Sequence, residues 1–149
     1  MAASEWSIVD PKYRFAVELI HIVNDLCYAK VAQVFPRLQD DLFKEEYKQL
    51  VKFHLEEEEK HFIELIARYT NGKFDENTYQ KCFKTFIDFY RPQVYSESGL
   101  VCFCAAIVYL AIFFSNAAPG VSSIDGIKDY IFSLLSDVLS RGPLEHSSW

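Results

Sequence analysis

The chain has 149 residues, half of them hydrophobic, with 13 Phe and 9 Tyr, which suits a single domain with a substantial core. Its formal charge of −6 opposes a surface built for phosphate backbones, and no Lys/Arg cluster reverses that locally, so no nucleic-acid partner is expected. Two of the four cysteines, Cys102 and Cys104, lie two apart on a presumed helix and face different directions, which suits core thiols in a reducing compartment better than a disulfide framework.

The N-terminal Met-Ala-Ala-Ser-Glu-Trp has neither a basic start nor an apolar run, so no secretory signal is expected, and the C-terminal Leu-Glu-His-Ser-Ser-Trp is no membrane anchor. Asp10-Pro11 is a strong helix start, an Asp cap followed by a residue with no N–H to leave unpaired. The first helix is expected over 11–34, ending before Phe35-Pro36. Phe15, Leu19, Ile22, Val23 and Leu26 form its buried face, and Arg14, Glu18, His21 and Asp25 its wet stripe.

Asp40 or Asp41 opens a second helix over 41–55, with Phe43, Tyr47, Leu50 and Val51 on one face and His54 as a candidate neighbour there. The run Glu56 to Glu59 points in every direction around a helix, so a break is expected there, with a third helix over 58–70 stopped by Asn71-Gly72. Asp75 or Asn77 caps a fourth helix, 77–90, whose broad aromatic face includes Tyr79, Phe83, Phe86, Phe89 and Tyr90 and which ends at Arg91-Pro92.

The fifth helix, 97–115, starts near Ser96-Glu97 and carries the least polar stretch, Gly99 to Phe114, with no charge and only the Tyr109 hydroxyl as a strong polar group. The sixth, 123–141, is capped by Ser122 or Ser123, buries Ile124, Ile127, Ile131, Leu134, Leu135 and Val138, and closes at Arg141-Gly142-Pro143. With no alternating strand pattern, the chain reads as one all-α domain, its apolar helix in the middle of the others. The alternative is a membrane span over 99–118. The strongly apolar part covers only about 24 Å against a hydrocarbon core of about 30 Å, and amphipathic helices flank it.

Two Glu-x-x-His spacings, Glu18 with His21 and Glu58 with His61, raise a di-metal carboxylate enzyme as a further alternative. That chemistry needs both pairs inward plus carboxylates from two more helices, whereas these lie on polar stripes and the apolar helix offers none. Cys27 and Cys82 have no nucleophile signature, and no phosphate loop or paired-Cys metal motif occurs. No enzyme activity, cofactor or metal is therefore expected. The glutamate run is a solvated rim that could attract a basic partner. The aromatic face of 77–90 is wider than one neighbour needs, so it either fills the core or lines a trough, floored by the apolar helix, for an amphipathic partner helix.

Asn77-Thr-Tyr-Gln-Lys-Cys-Phe-Lys-Thr-Phe-Ile-Asp-Phe-Tyr-Arg-Pro-Gln-Val94 resembles the fourth helix and following turn of the Bcl-2 family of apoptosis regulators. Glu97-Ser-Gly-Leu100 occupies the place of the family's Asn-Trp-Gly-Arg signature, and Ile127 to Trp149 is similar to its second homology region. The likeness covers residues 75 to 149 at residue level, and 11 to 70 in helix order and pattern.

The resemblance implies a bundle of six to seven helices around a central apolar one, and a groove for BH3 helices (Bcl-2 homology region three) of pro-apoptotic proteins such as Bim, Bak or Bax. It places Leu50, Leu55, Phe62, Leu65 and Tyr69 on one groove wall, Thr85, Asp88 and Phe89 on the other, and Gly99 and Phe103 at the floor. Gly99 stands where a ligand helix approaches closely, and ligand side chains at i, i+4, i+7 and i+11 supply the affinity. The signature Arg that pairs with the ligand's Asp is absent, leaving Arg91, Lys81 or Lys84 as substitutes. The chain has no Leu-x-x-x-Gly-Asp in 41–60, so it is not expected to donate a BH3 helix. Weak signatures, small size and the missing membrane tail resemble divergent viral members, mostly pro-survival. The implied location is the cytoplasm, the host's if viral, with recruitment to mitochondria through partners; an exposed groove also leaves a homodimer open.

Overall fold

The computed structural model describes residues 11–26, 45–93, 96–118 and 124–140, and these form five helices with no strand among the described residues. They are α1 (Pro11–Leu26), α2 (Glu45–Thr70), α3 (Glu76–Tyr90), α4 (Glu97–Ala117) and α5 (Ile124–Ser140). The expected continuation of the first helix to 34, its stop at Phe35-Pro36 and the start of the second at Asp40 or Asp41 lie outside the described residues.

The central placement expected for the apolar helix is observed. α4 packs against α1, α2, α3 and α5 alike, and from Val101 to Phe114 only Cys102 and Phe113 are less than fully buried. An eighteen-residue window of α4 has mean hydropathy 2.2, long and apolar enough to cross a membrane, and 72% of that window is buried inside the protein. A helix apolar on all sides needs apolar neighbours on all sides, and the four other helices supply them.

The helix ends follow local chemistry. Asp75 caps α3 with a reciprocal box: its Oδ1 accepts the Thr78 N–H (2.9 Å), and its own N–H donates to Thr78 Oγ1 (3.0 Å). Arg91, extended before Pro92, closes α3 by donating its N–H to the Ile87 carbonyl (3.0 Å). α2 stops where Asn71 (φ 52°) and Gly72 (φ 82°) enter the left-handed region. Ser96 caps α4 through the Gly99 N–H (3.0 Å).

Two expectations are corrected. The break at Glu56 to Glu59 does not occur, because α2 runs unbroken through 26 residues and settles each carboxylate separately. Glu56 and Glu57 face solvent, Glu58 lies beside His61 (3.7 Å from Nδ1), and Glu59 accepts the Tyr109 hydroxyl (2.8 Å). The stripes of α1 are also less clean than expected: Glu18 is 3% exposed and His21 half-buried, Asp25 is exposed, and Leu26, expected on the buried face, is 40% exposed. α1 is held by α2, α4 and α5 together, so more than one stripe of it is covered.

The core joins these helices through rings. Phe62 of α2, fully buried, stacks within 4.9 Å of Tyr109 on α4 and 5.5 Å of Phe86 on α3. Phe62→Ala is expected to cost about 3 to 5 kcal/mol of unfolding free energy in chemical denaturation, since it removes contacts to two neighbouring helices at once.

Candidate functional site

The place to look for a partner site is the seam where α2 and α3 meet over α4. His54, His61 and Phe62 come from α2, at spacings that bring His54 and His61 to one face two turns apart. Phe86, Phe89 and Tyr90 come from α3, and Tyr109 and Phe103 from α4.

These rings touch. Tyr90 lies 5.1 Å from Phe62, 5.6 Å from Phe86 and 6.2 Å from His54, centroid to centroid. A hydrogen bond of 2.6 Å joins the Tyr90 hydroxyl to His61 Nδ1, and Phe89 packs on the His61 ring at 4.6 Å. Burial, aided by the Glu58 carboxylate, holds the Tyr90 phenol well above the ordinary tyrosine value, so it stays protonated and able to donate. Farther along, the Tyr47 hydroxyl donates to Glu97, tying the start of α2 to the start of α4.

The residues expected to line an open groove are distributed differently. Leu55, Phe62, Leu65 and Phe103 are buried in the core, Leu50, Thr85 and Gly99 are half-buried, and Tyr69, Asp88 and Phe89 are exposed. The seam brings Phe62 against the third turn of α3 and leaves Phe89 60% exposed at its rim. The Thr85 hydroxyl folds back onto the Lys81 carbonyl of its own helix (2.9 Å). The expected trough is therefore filled by the chain's own rings: two helices that each carry an apolar aromatic face bury those faces on each other when nothing lies between them.

Gly99 does not face an empty approach lane. A Cβ there would come within 3.0 Å of Ser96 Oγ, so the missing side chain makes room for the chain's own cap. Near the start of α4, the Arg91 guanidinium carbon lies 5.9 Å from the centre of the Phe103 ring, a cation over an aromatic ring at one end of the seam.

The thiols are buried rather than poised. Burial pushes Cys82 and Cys102 up to about 11 and Cys104 higher still, which leaves them as protonated core groups at neutral pH. Cys27 lies outside the described residues. Among the described residues no three His, Cys, Asp or Glu side chains converge as a metal site would require.

The contributions of His61 and Tyr109 to the seam were not assigned from sequence, which placed only His54, as a candidate, and Tyr90 on faces that meet there. A signal existed in the seven-residue spacing of the two histidines and in the single hydroxyl of the apolar stretch, but the polar character of His61 pointed to solvent. Compared with known proteins, the chain matches no family model, no curated protein sequence and no solved structure.

His54 makes the seam sensitive to pH. Burial holds its imidazole below the ordinary value, with Glu58 partly opposing, and its Nε2 is buried with no hydrogen-bond partner among the described residues. A depressed histidine means that the unfolded chain takes up the proton first. Stability is then full above about pH 6.5 and falls as pH drops through that value. His54→Leu is expected to flatten this decline between about pH 7 and pH 5, read from denaturation midpoints across the range.

Proposed function

We propose that this chain is a Bcl-2-like binding protein, pro-survival in effect, that captures BH3 helices of pro-apoptotic proteins along the α2–α3 seam. The observation that carries this reading is a seam of aromatic faces from two helices, laid over an apolar central helix, with Phe89 exposed at its rim. The helix order and the resemblance of residues 75 to 149 support the same reading.

The resting seam is closed, so ligand entry requires α2 and α3 to part. The Phe62 and Tyr90 contacts and the His61–Tyr90 hydrogen bond are exchanged for four apolar side chains of the incoming helix. Each such burial is worth about 1.5 to 3 kcal/mol before the cost of ordering and opening. The alternative of membrane insertion rests on the length and hydropathy of α4 and would require releasing that helix from four neighbours.

Titration calorimetry with a panel of BH3 peptides tests the reading directly. At least one peptide is expected to bind with a Kd below about 10 µM, and a panel with no binder in that range removes the mechanism.

A second measurement concerns the cation at the end of the seam. Arg91 is exposed over Phe103 and takes the role of the absent signature Arg in pairing with the ligand's Asp. Arg91→Ala is expected to weaken a native BH3 peptide by about fivefold and to leave the peptide carrying Ala in place of that Asp unchanged. Equal losses for both peptides would remove Arg91 from the pairing.

A further inference from the structure

A cleft of about 200 Å³ lies on the other side of α3, away from the seam, between α3 and α5. The two helices rest on α4, and their backbones do not approach each other among the described residues. The gap is lined by Glu76, Tyr79, Gln80 and Phe83 from the first two turns of α3 and by Gly126, Ile127 and Tyr130 from α5.

Three of those side chains are aromatic and they are set at steep angles. Phe83 and Tyr130 stand at 85° with centroids 5.1 Å apart, and Tyr79 lies 6.0 Å from Phe83 at 53°. Two rings at right angles meet edge to face, which leaves the faces of the edge-on ring uncovered by its partner, and π-faces carry the negative lobe of the ring quadrupole. Tyr79 is fixed from behind by Phe114 of α4 (5.1 Å), so this wall of the cleft is rigid.

A carboxylate completes the lining. Gln80 donates to one Glu76 oxygen (3.2 Å), which orients the group. Burial and, secondly, Glu76 keep the Tyr79 phenol far above the ordinary tyrosine value, which places the carboxylate within electrostatic reach of that ring. The positive end of α3 is answered by Asp75, whose Oδ1 caps it, and by Glu76 in the first turn. Gly126 lies on the other side of the cleft, and a Cβ there would meet nothing within 4 Å among the described residues.

We propose that the α3–α5 cleft is a binding site for a quaternary ammonium group, held by the Tyr79, Phe83 and Tyr130 rings and the Glu76 carboxylate. The chemistry selects for this class. A neutral apolar group gains nothing from the carboxylate, a phosphate or carboxylate is repelled by it, and a fully methylated ammonium gives up little hydration on entering an aromatic corner. The site uses a face of α3 other than the one turned to the seam.

The test is a proton NMR titration of the whole chain with choline, trimethyllysine amide and 3,3-dimethylbutan-1-ol, the neutral carbon isostere of choline. Choline and the trimethyllysine amide are expected to bind alike in the millimolar range, with upfield-shifted methyl protons and a moving Gly126 amide, and the isostere at least about tenfold more weakly. Glu76→Gln, an exposed substitution that leaves the core intact, is expected to weaken choline severalfold, and Phe83→Leu to remove the upfield shift. The proposal is overturned if the isostere binds as well as choline, if neither variant alters binding, or if no saturable shift occurs. Tighter binding of phosphocholine than of choline would also overturn it, because Glu76 opposes a phosphate.

Discussion

Sixteen consecutive residues without a charge, Gly99 to Phe114, impose the condition on which the rest of the structure depends. A helix of that composition has no face that water tolerates, so it must be enclosed, and one neighbour covers only one side of it. Four helices meet the condition together. Their amphipathic faces need an apolar surface as much as α4 needs cover, and α4 offers that surface in every direction. The single strong polar group inside, the Tyr109 hydroxyl, is accommodated by a carboxylate from α2, so the glutamate run serves the core at one point while facing water at others.

Enclosure also determines where the molecule can bind something. Helices that lie on a common central helix do not all touch one another well, and the two gaps around α3 have different characters. Between α2 and α3 the facing residues are large rings, which close on each other and on the two histidines. Between α3 and α5 a glycine and a standing pair of rings leave space with a carboxylate at hand. The first gap is apolar and filled by the chain's own rings. The second is an open cleft with a carboxylate in its lining.

Much of the helical order was legible because it rests on local rules. The caps at Asp75 and Ser96, the stops at Asn71-Gly72 and Arg91-Pro92, and the apolar stripe of 124–140 depend on residues within one turn of each other. The candidate groove was less legible, since periodicity tells that Phe62, Leu65 and Phe89 lie on helix faces but not whether those faces meet a neighbour or open to solvent. Leu55, Phe62, Leu65 and Phe103 proved to be core, whereas Phe89 stays exposed. Burial of Glu18 escaped the same reasoning, because a carboxylate on a polar stripe reads as wet until three neighbouring helices are known to surround it.

The amino-acid sequence alone determined that this is a helical chain with one helix that must be enclosed, by protein or by lipid, since composition and capping act within a segment. Only the tertiary structure decided that α2 continues through four glutamates and that one of them, Glu59, finds its partner on Tyr109 of another helix. It likewise decided that the aromatic faces of α2 and α3 close on each other. Each of these outcomes depends on the distance between segments far apart in the chain, a quantity that no local spacing of residues contains.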